Sequence, residues 1–190
     1  GMIFGITGGT GCGKTTALEA LHSLGGVCLD CDAIYHDLLK TDKALLAAIE
    51  GRFPGVVKAG QLDRKALGGR VFADPAALAD LNAITHAAVK QRVLESLPKD
   101  GTPAAIDAIG LFESGLDQLC GVTVGILAPK ADRLRRIMAR DGISESYAQM
   151  RLDAQPEDGY FREKCDYILK NTGTEADFLR KSIDFFQKFL

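Results

Sequence analysis

Short apolar runs alternate along the chain with longer segments in which apolar residues recur every three or four positions. The runs at 2–6, 27–29, 102–109, 122–127 and 167–169 read as short buried strands. Between them, residues 15–22, 33–40 and 42–53 read as helices, with Leu38, Leu39, Leu45, Leu46 and Ile49 at helical spacing. Pro54 and Gly55 break that pattern, and residues 56–61 read as a loop. A short helix is expected over 64–72. A longer one follows, with Asp74 as N-cap, Pro75 at its first position, and Leu78, Leu81, Ile84 and Val89 repeating along it. Past the third and fourth strands, residues 129–140 predict a helix, and Ser144 caps another that carries Tyr147, Met150 and Leu152. Residues 155–163 read as a polar loop. An amphipathic helix over 175–189 closes the chain with Phe178, Ile183, Phe186 and Leu190; this face fits core packing better than a partner or membrane surface.

Strands separated by helices predict an α/β fold with a parallel five-stranded sheet flanked by helices. The all-helical stretch at about 33–97 interrupts the alternation, and predicts a helical lobe inserted into a core of 1–32 and 98–190. A length of 190 residues suits one such domain, and the 46% hydrophobic share suffices for its core. There are no internal repeats or low-complexity tracts.

A net charge of −2 argues against general nucleic-acid binding, so an anionic substrate needs locally placed arginines and lysines. No apolar run approaches the roughly 20 residues of a membrane span. The first apolar stretch is too short for a secretory signal, and Gly1 before Met2 reads as an addition outside the fold. Five scattered cysteines suit a reducing cytoplasm better than a disulfide framework. Cys28 and Cys31 form a C-x-x-C by spacing, but no second ligand pair accompanies them, and small buried or strand-end cysteines are the simpler reading.

Chemistry enters between the first strand and the first helix. Gly8-Gly9-Thr10-Gly11-Cys12-Gly13-Lys14-Thr15 fits G-x-x-x-x-G-K-[ST] at every fixed position. Glycines let the backbone turn its N–H groups toward phosphate oxygens, Lys14 supplies a point charge, and the Thr15 hydroxyl can ligate Mg²⁺. Strand, loop and helix in that order put the phosphate at a helix N-terminus. Cys12 lies inside this loop, where its oxidation would block nucleotide binding. A guanine-reading N-K-x-D is absent. Asp107-Ala108-Ile109-Gly110 fits D-x-x-G by formula, yet lies at a strand end suited to a Mg²⁺-assisting carboxylate. Small size, the N-terminal loop and the helical insertion favour a small-molecule kinase. Such chemistry often uses a carboxylate near the acceptor hydroxyl. Asp32, at the end of the second strand, is one candidate and Asp30 the other; Asp32 could equally be a helix N-cap.

Further motifs carry a resemblance. Gly5 to Thr16, Asp30-Cys31-Asp32, Gly60 to Leu67 with Val71-Phe72, Leu81 to Ala87, Asp107 to Glu113, the arginines 133, 136 and 140, Gln155, and Cys165 to Gly173 together resemble the dephospho-CoA kinase family nearly end to end. Cys12 stands where serine is usual, Ile109-Gly110 replaces proline-leucine, Ala87 replaces a proline, and Cys165 an alanine. The resemblance implies a P-loop NTPase fold and ATP-dependent phosphorylation of the ribose 3′-hydroxyl of dephospho-CoA, the last step of coenzyme A synthesis. ATP, with Mg²⁺ on Thr15 and Asp107, would lie on Thr10, Gly11, Cys12, Gly13, Lys14, Thr15 and Thr16. Asp32 would be the base, Lys14 would stabilise the transferred phosphoryl group, and residues 140–163 would form a lid. Arg133, Arg136 and Arg140 share a helix face by spacing. Arg136 and Arg140 would reach the nucleotide, Arg140 touching phosphates or stacking near adenine; for Arg133 a solvated basic face is the alternative. Asn171 would contact adenine or be a left-handed turn residue. Leu62, Asp63, Arg64 and His86 would serve the acceptor, although Asp63 could simply cap a helix and His86 be structural. The implied setting is a cytoplasmic monomer or weak homo-oligomer, with no nucleic-acid or membrane partner. Another nucleotide or small-molecule kinase of this fold is the alternative, and a non-catalytic nucleotide-binding switch is a further one.

Overall fold

The computed structural model describes residues 1–190 and divides into two compact units, residues 1–29 with 98–190, and residues 30–97. In the first unit β1 (Ile3–Thr7), β2 (Val27–Asp30), β5 (Ala104–Asp107), β6 (Val122–Leu127) and β7 (Tyr167–Lys170) form a five-stranded sheet in the order β2-β5-β1-β6-β7. The β1–β5, β1–β6 and β6–β7 pairs are parallel, with Phe4 beside both Ala105 and Val122. A parallel sheet covered on both faces needs apolar side chains at consecutive positions, which is why β6 is buried along its whole length.

The two sides of β1 show how the covering works. Phe4 and Ile6 join Ala17, Ala20 and Leu21 of α1 (Lys14–Ser23) and Phe178, Phe185 and Phe186 of α9 (Glu175–Gln187) in one core. Phe4 meets Phe186 edge-on at 5.0 Å between centroids. On the opposite side, a Cβ on Gly5 would lie 2.8 Å from Leu111 and 2.9 Å from Cys120, so any larger residue would have to displace both side chains. Ordering of the far edge is local. Asp166 accepts from the Thr123 N–H at 2.9 Å, and its own N–H donates back to the Thr123 hydroxyl, fixing β7 against β6.

Past β6, α6 (Lys130–Asp141) ends at Gly142, whose φ of 63° is the left-handed stop that glycine supplies. Ser144 caps α7 (Glu145–Asp153) by accepting from the Tyr147 N–H, as its sequence predicts. The polar stretch expected to be a loop instead holds α8 (Asp158–Lys164). Phe161 is buried on it and packs edge-on against Tyr160. One buried aromatic in a seven-residue helix is too little periodicity to announce it.

The second unit holds α2 (Cys31–Thr41), α3 (Lys43–Arg52), α4 (Arg64–Val71) and the 22-residue α5 (Pro75–Ser96). Ala77, Leu81, Thr85, Val89 and Val93 line the buried side of α5 at four-residue steps, and α2, α3 and α4 all pack on that helix. Asp30, Asp42, Asp63 and Asp74 cap these four helices through carboxylate-to-N–H bonds, each contributing about 1 kcal/mol. The expected loop at 56–61 instead contains a two-residue antiparallel pair, β3 (Val57–Lys58) with β4 (Gln61–Leu62), turning through Ala59 at a φ of 53°. No helix in the chain is long and apolar enough to cross a membrane.

Candidate phosphate-transfer site

The loop between β1 and α1 follows from its neighbours. Gly13 closes it at a φ of 96°, and a Cβ there would sit 2.2 Å from the Asn171 amide nitrogen. Gly11, at a φ of 77°, would meet the Arg133 carbonyl at 2.7 Å. α1 then begins with no side-chain cap and no acidic residue in its first turn, whereas the other helices have one or the other. Its orphan N–H groups and positive dipole end suit an anion.

Lys14 Nζ lies 2.7 Å from Asp107 Oδ1, with the two side chains only 18% and 15% exposed. The register of the sheet puts Asp107 beside Ile6 at the end of the neighbouring strand, and the Thr7 hydroxyl donates to the Ile109 carbonyl at 3.0 Å. The loop is thus tied to the turn in which Ile109-Gly110 stands. Thr15 is exposed and Thr16 buried at the start of α1.

Asn171 lies beneath the loop. It is 4% exposed, its Nδ2 donates to the Cys12 carbonyl at 3.1 Å, and its buried Oδ1 has no partner. Its backbone is not left-handed. Cys12 is equally inward, at 2% exposure. Burial pushes its thiol up despite the opposing pull of Lys14 and Arg133, so the thiolate that oxidants attack is scarce.

Two of the four arginines on α6 grip the loop. Arg133 Nε donates to the Thr10 carbonyl at 3.0 Å and Arg136 Nη1 to the Gly11 carbonyl at 2.8 Å, so Arg133 is no solvated basic residue. Arg140 turns to Asp141, which also receives Arg151. Hydrogen bonds from Arg140 and then Arg151 hold the Asp141 carboxyl well below the usual carboxylate range. Gln155 reaches the loop as well: it accepts from the Thr10 N–H at 2.9 Å and donates to the Thr10 hydroxyl at 2.6 Å. Arg133 and Gln155 also line a cavity of about 790 Å³ that runs to Lys170 and Thr172 at the end of β7.

In the helical unit the two aspartates trade places. β2 ends at Asp30, whose carboxylate accepts from the Asp32 and Ala33 N–H groups; Asp30 is the N-cap. Asp32 lies in the first turn of α2, not at the strand end, and its side chain is 80% exposed. One of its oxygens is 3.6 Å from His36 Nε2, one turn on. The i, i+4 spacing on α2 is what brings His36 to Asp32. Asp63 caps α4 through the Ala66 N–H, and Lys58 lies 3.7 Å from its other oxygen. Leu62 pairs with Val57 across the small hairpin, Arg64 is exposed at the start of α4, and His86 is half-buried on α5. Nothing in the sequence signals the hydrogen bond from Tyr160 to Glu113. Burial, then this bond, pushes the Tyr160 hydroxyl up to about 12.

A phosphate-binding loop between a buried strand and an uncapped helix, in a parallel sheet with a lysine–aspartate pair at its mouth, defines a P-loop kinase of the α/β class. The comparisons are more specific. The dephospho-CoA kinase family matches residues 2–177. A dephospho-CoA kinase of Thermus thermophilus is 36% identical over 180 residues, covering 94% of this chain and 87% of that protein. A Thermus thermophilus protein of known crystal structure superposes with a TM-score of 0.82 at 33% identity, over 100% and 97% of the two chains. Dephospho-CoA kinase from Campylobacter jejuni gives 0.71 at 33% identity, over 98% and 96%. The chain belongs to the dephospho-CoA kinase family.

Proposed function

We propose that this chain transfers the γ-phosphoryl group of ATP to the ribose 3′-hydroxyl of dephospho-CoA, giving CoA and ADP. Family membership supports the substrates, and the observation that carries the chemistry is the uncapped start of α1 with Lys14 beside it. Backbone N–H groups from Thr10 to Thr15 would receive the phosphates. Lys14 would move from Asp107 to the phosphate oxygens and offset charge that builds in the transition state. Arg136 and Arg140 would add positive charge over the nucleotide, and Asn171 would hold the loop from beneath by its bond to Cys12.

Asp32 would accept or orient the proton of the attacking hydroxyl. The exposure of its carboxylate in the first turn of α2 supports this, since Asp30 already serves as the cap. Leu62, Arg64 and His86 would line the acceptor's path, with Asp63 holding the start of α4. Residues 30–97 would act as the acceptor lobe, and 140–163 as a lid that limits water access.

The donor set fits Mg²⁺, which takes one or two protein oxygens and fills its shell from water and phosphate. Thr15 is exposed at the start of α1, and Asp107 has a second carboxylate oxygen beyond the one that meets Lys14. Bound there, the ion would neutralise phosphate charge.

The test is ADP release with ATP and Mg²⁺ against dephospho-CoA, AMP, shikimate and no acceptor. Release only with dephospho-CoA is expected. Release with another acceptor would retain a kinase and discard the substrate. Binding of ATP without turnover would favour a nucleotide switch.

A further inference from the structure

Gln155 lies between α7 and α8, far along the chain from the phosphate loop, yet it makes the loop's most extensive side-chain contact. Its Oε1 accepts two bonds, from the Thr10 N–H at 2.9 Å and from Arg133 Nη2 at 2.6 Å. Its Nε2 donates to the Thr10 hydroxyl at 2.6 Å. The backbone fixes its approach, because the Gln155 N–H donates to the Leu152 carbonyl at the end of α7. The approach is also close. A Cβ on Gly9 would lie 2.8 Å from Gln155 Oε1 and 2.0 Å from Arg133 Nη2.

A loop N–H and a guanidinium N–H converging on one oxygen are the donors that a phosphoryl oxygen would use. The amide oxygen is neutral, so it satisfies both donors more weakly than an anion would. We propose that the Gln155 amide is a placeholder in the phosphate site, displaced by a nucleotide phosphoryl oxygen, and so a determinant of nucleotide affinity. This rests on the nucleotide binding proposed above, and is independent of which acceptor is used. Displacement frees Arg133 Nη2 and the Thr10 N–H together. Every contact involved lies within the sheet-containing unit.

Two variants at this one position separate the proposal from its rival, in which Gln155 is itself a ligand of the bound nucleotide. Gln155→Ala removes the competitor, and the ATP dissociation constant is expected to fall about 3- to 10-fold. Gln155→Glu keeps the shape and adds charge on the same two donors, and the constant is expected to rise at least about tenfold. Equilibrium binding of ATP to the full chain, read by calorimetry at fixed salt, gives both numbers, with the melting temperature of each variant as the folding control. Gln155→Ser stands in should the alanine variant fold poorly. Weaker binding in both variants would overturn the proposal in favour of a ligand role, and unchanged binding in both would overturn it outright. Opposite shifts without transfer to dephospho-CoA would sink the proposed acceptor and leave this inference standing. Normal transfer with equal-sign shifts would do the reverse.

Discussion

Replacing Asp107 with alanine should leave Lys14 without its partner in a largely buried site. At 2.7 Å and an effective dielectric of about 20, the gross attraction of this pair is about 6 kcal/mol. Desolvation of both groups offsets much of it. Removing one partner of a fully buried pair costs about 3–5 kcal/mol. Because the two side chains retain 18% and 15% exposure, water can reach the stranded ammonium, and about 2–3 kcal/mol is the expected loss. For a chain of this size that lowers the melting temperature by roughly 4–12 °C. The second half of the expectation concerns the nucleotide. ATP phosphates can replace the missing carboxylate at Lys14, so saturating ATP with EDTA should raise the variant's melting temperature by more than it raises the wild type's. With Mg²⁺ the advantage should shrink, since the proposed metal loses a ligand. Differential scanning fluorimetry with and without ATP, in EDTA and in Mg²⁺, reads all four conditions. An unchanged melting temperature with an unchanged ATP shift would refute the reasoning: the pair would then be an incidental contact of no energetic weight.

Other consequences are equally open to measurement. Asp32→Ala should lower kcat by about 10²–10⁴ while leaving the melting temperature alone, since the side chain is 80% exposed and Asp30 provides the cap; unchanged kcat would remove Asp32 from the chemistry. Gly13→Ala forces a side chain onto a φ of 96° and into the Asn171 amide, at a backbone cost alone of about 1–2 kcal/mol; ATP binding at least about tenfold weaker is expected, and wild-type affinity would contradict the loop geometry. The Asp141 carboxyl is depressed by Arg140 and Arg151. Its contribution is therefore present above the ordinary carboxylate pKa of about 3.9 and is lost as pH falls through the lower folded value. Hydrogen exchange over residues 140–151 should show faster opening in Asp141→Asn than in wild type at pH 7, converging only in strong acid; no difference at pH 7 would mean that the cluster holds nothing.

Some elements are plain in the sequence because their physics is local. The strand runs 2–6 and 122–127, the Asp74-Pro75 helix start and the Ser144 cap each need only a few neighbouring residues to be recognised. Places where two local solutions compete are harder to read. Asp30 and Asp32 can both cap a helix, and the choice turns on α2 already beginning at Cys31, directly after β2. α8 is hidden because seven residues carry one buried side chain, and the β3–β4 pair because two-residue strands have no periodicity. The phosphate loop is legible from its glycines and Lys14, but what surrounds it is not. Gln155 and Thr10 are 145 positions apart, and Asn171 and Cys12 are 159 apart; only the folded sheet brings their polar atoms together. Burial is equally hidden, because Cys12, inside the loop by sequence, points its thiol into the core.

Transfer to one defined oxygen is the central claim, and a single-turnover reaction with γ-labelled ATP, Mg²⁺ and dephospho-CoA tests it directly. The account predicts label appearing in CoA in equal amount to ADP, removable by a nucleotidase specific for 3′-phosphates. Label in inorganic phosphate alone, or on any other position of the acceptor, would contradict it.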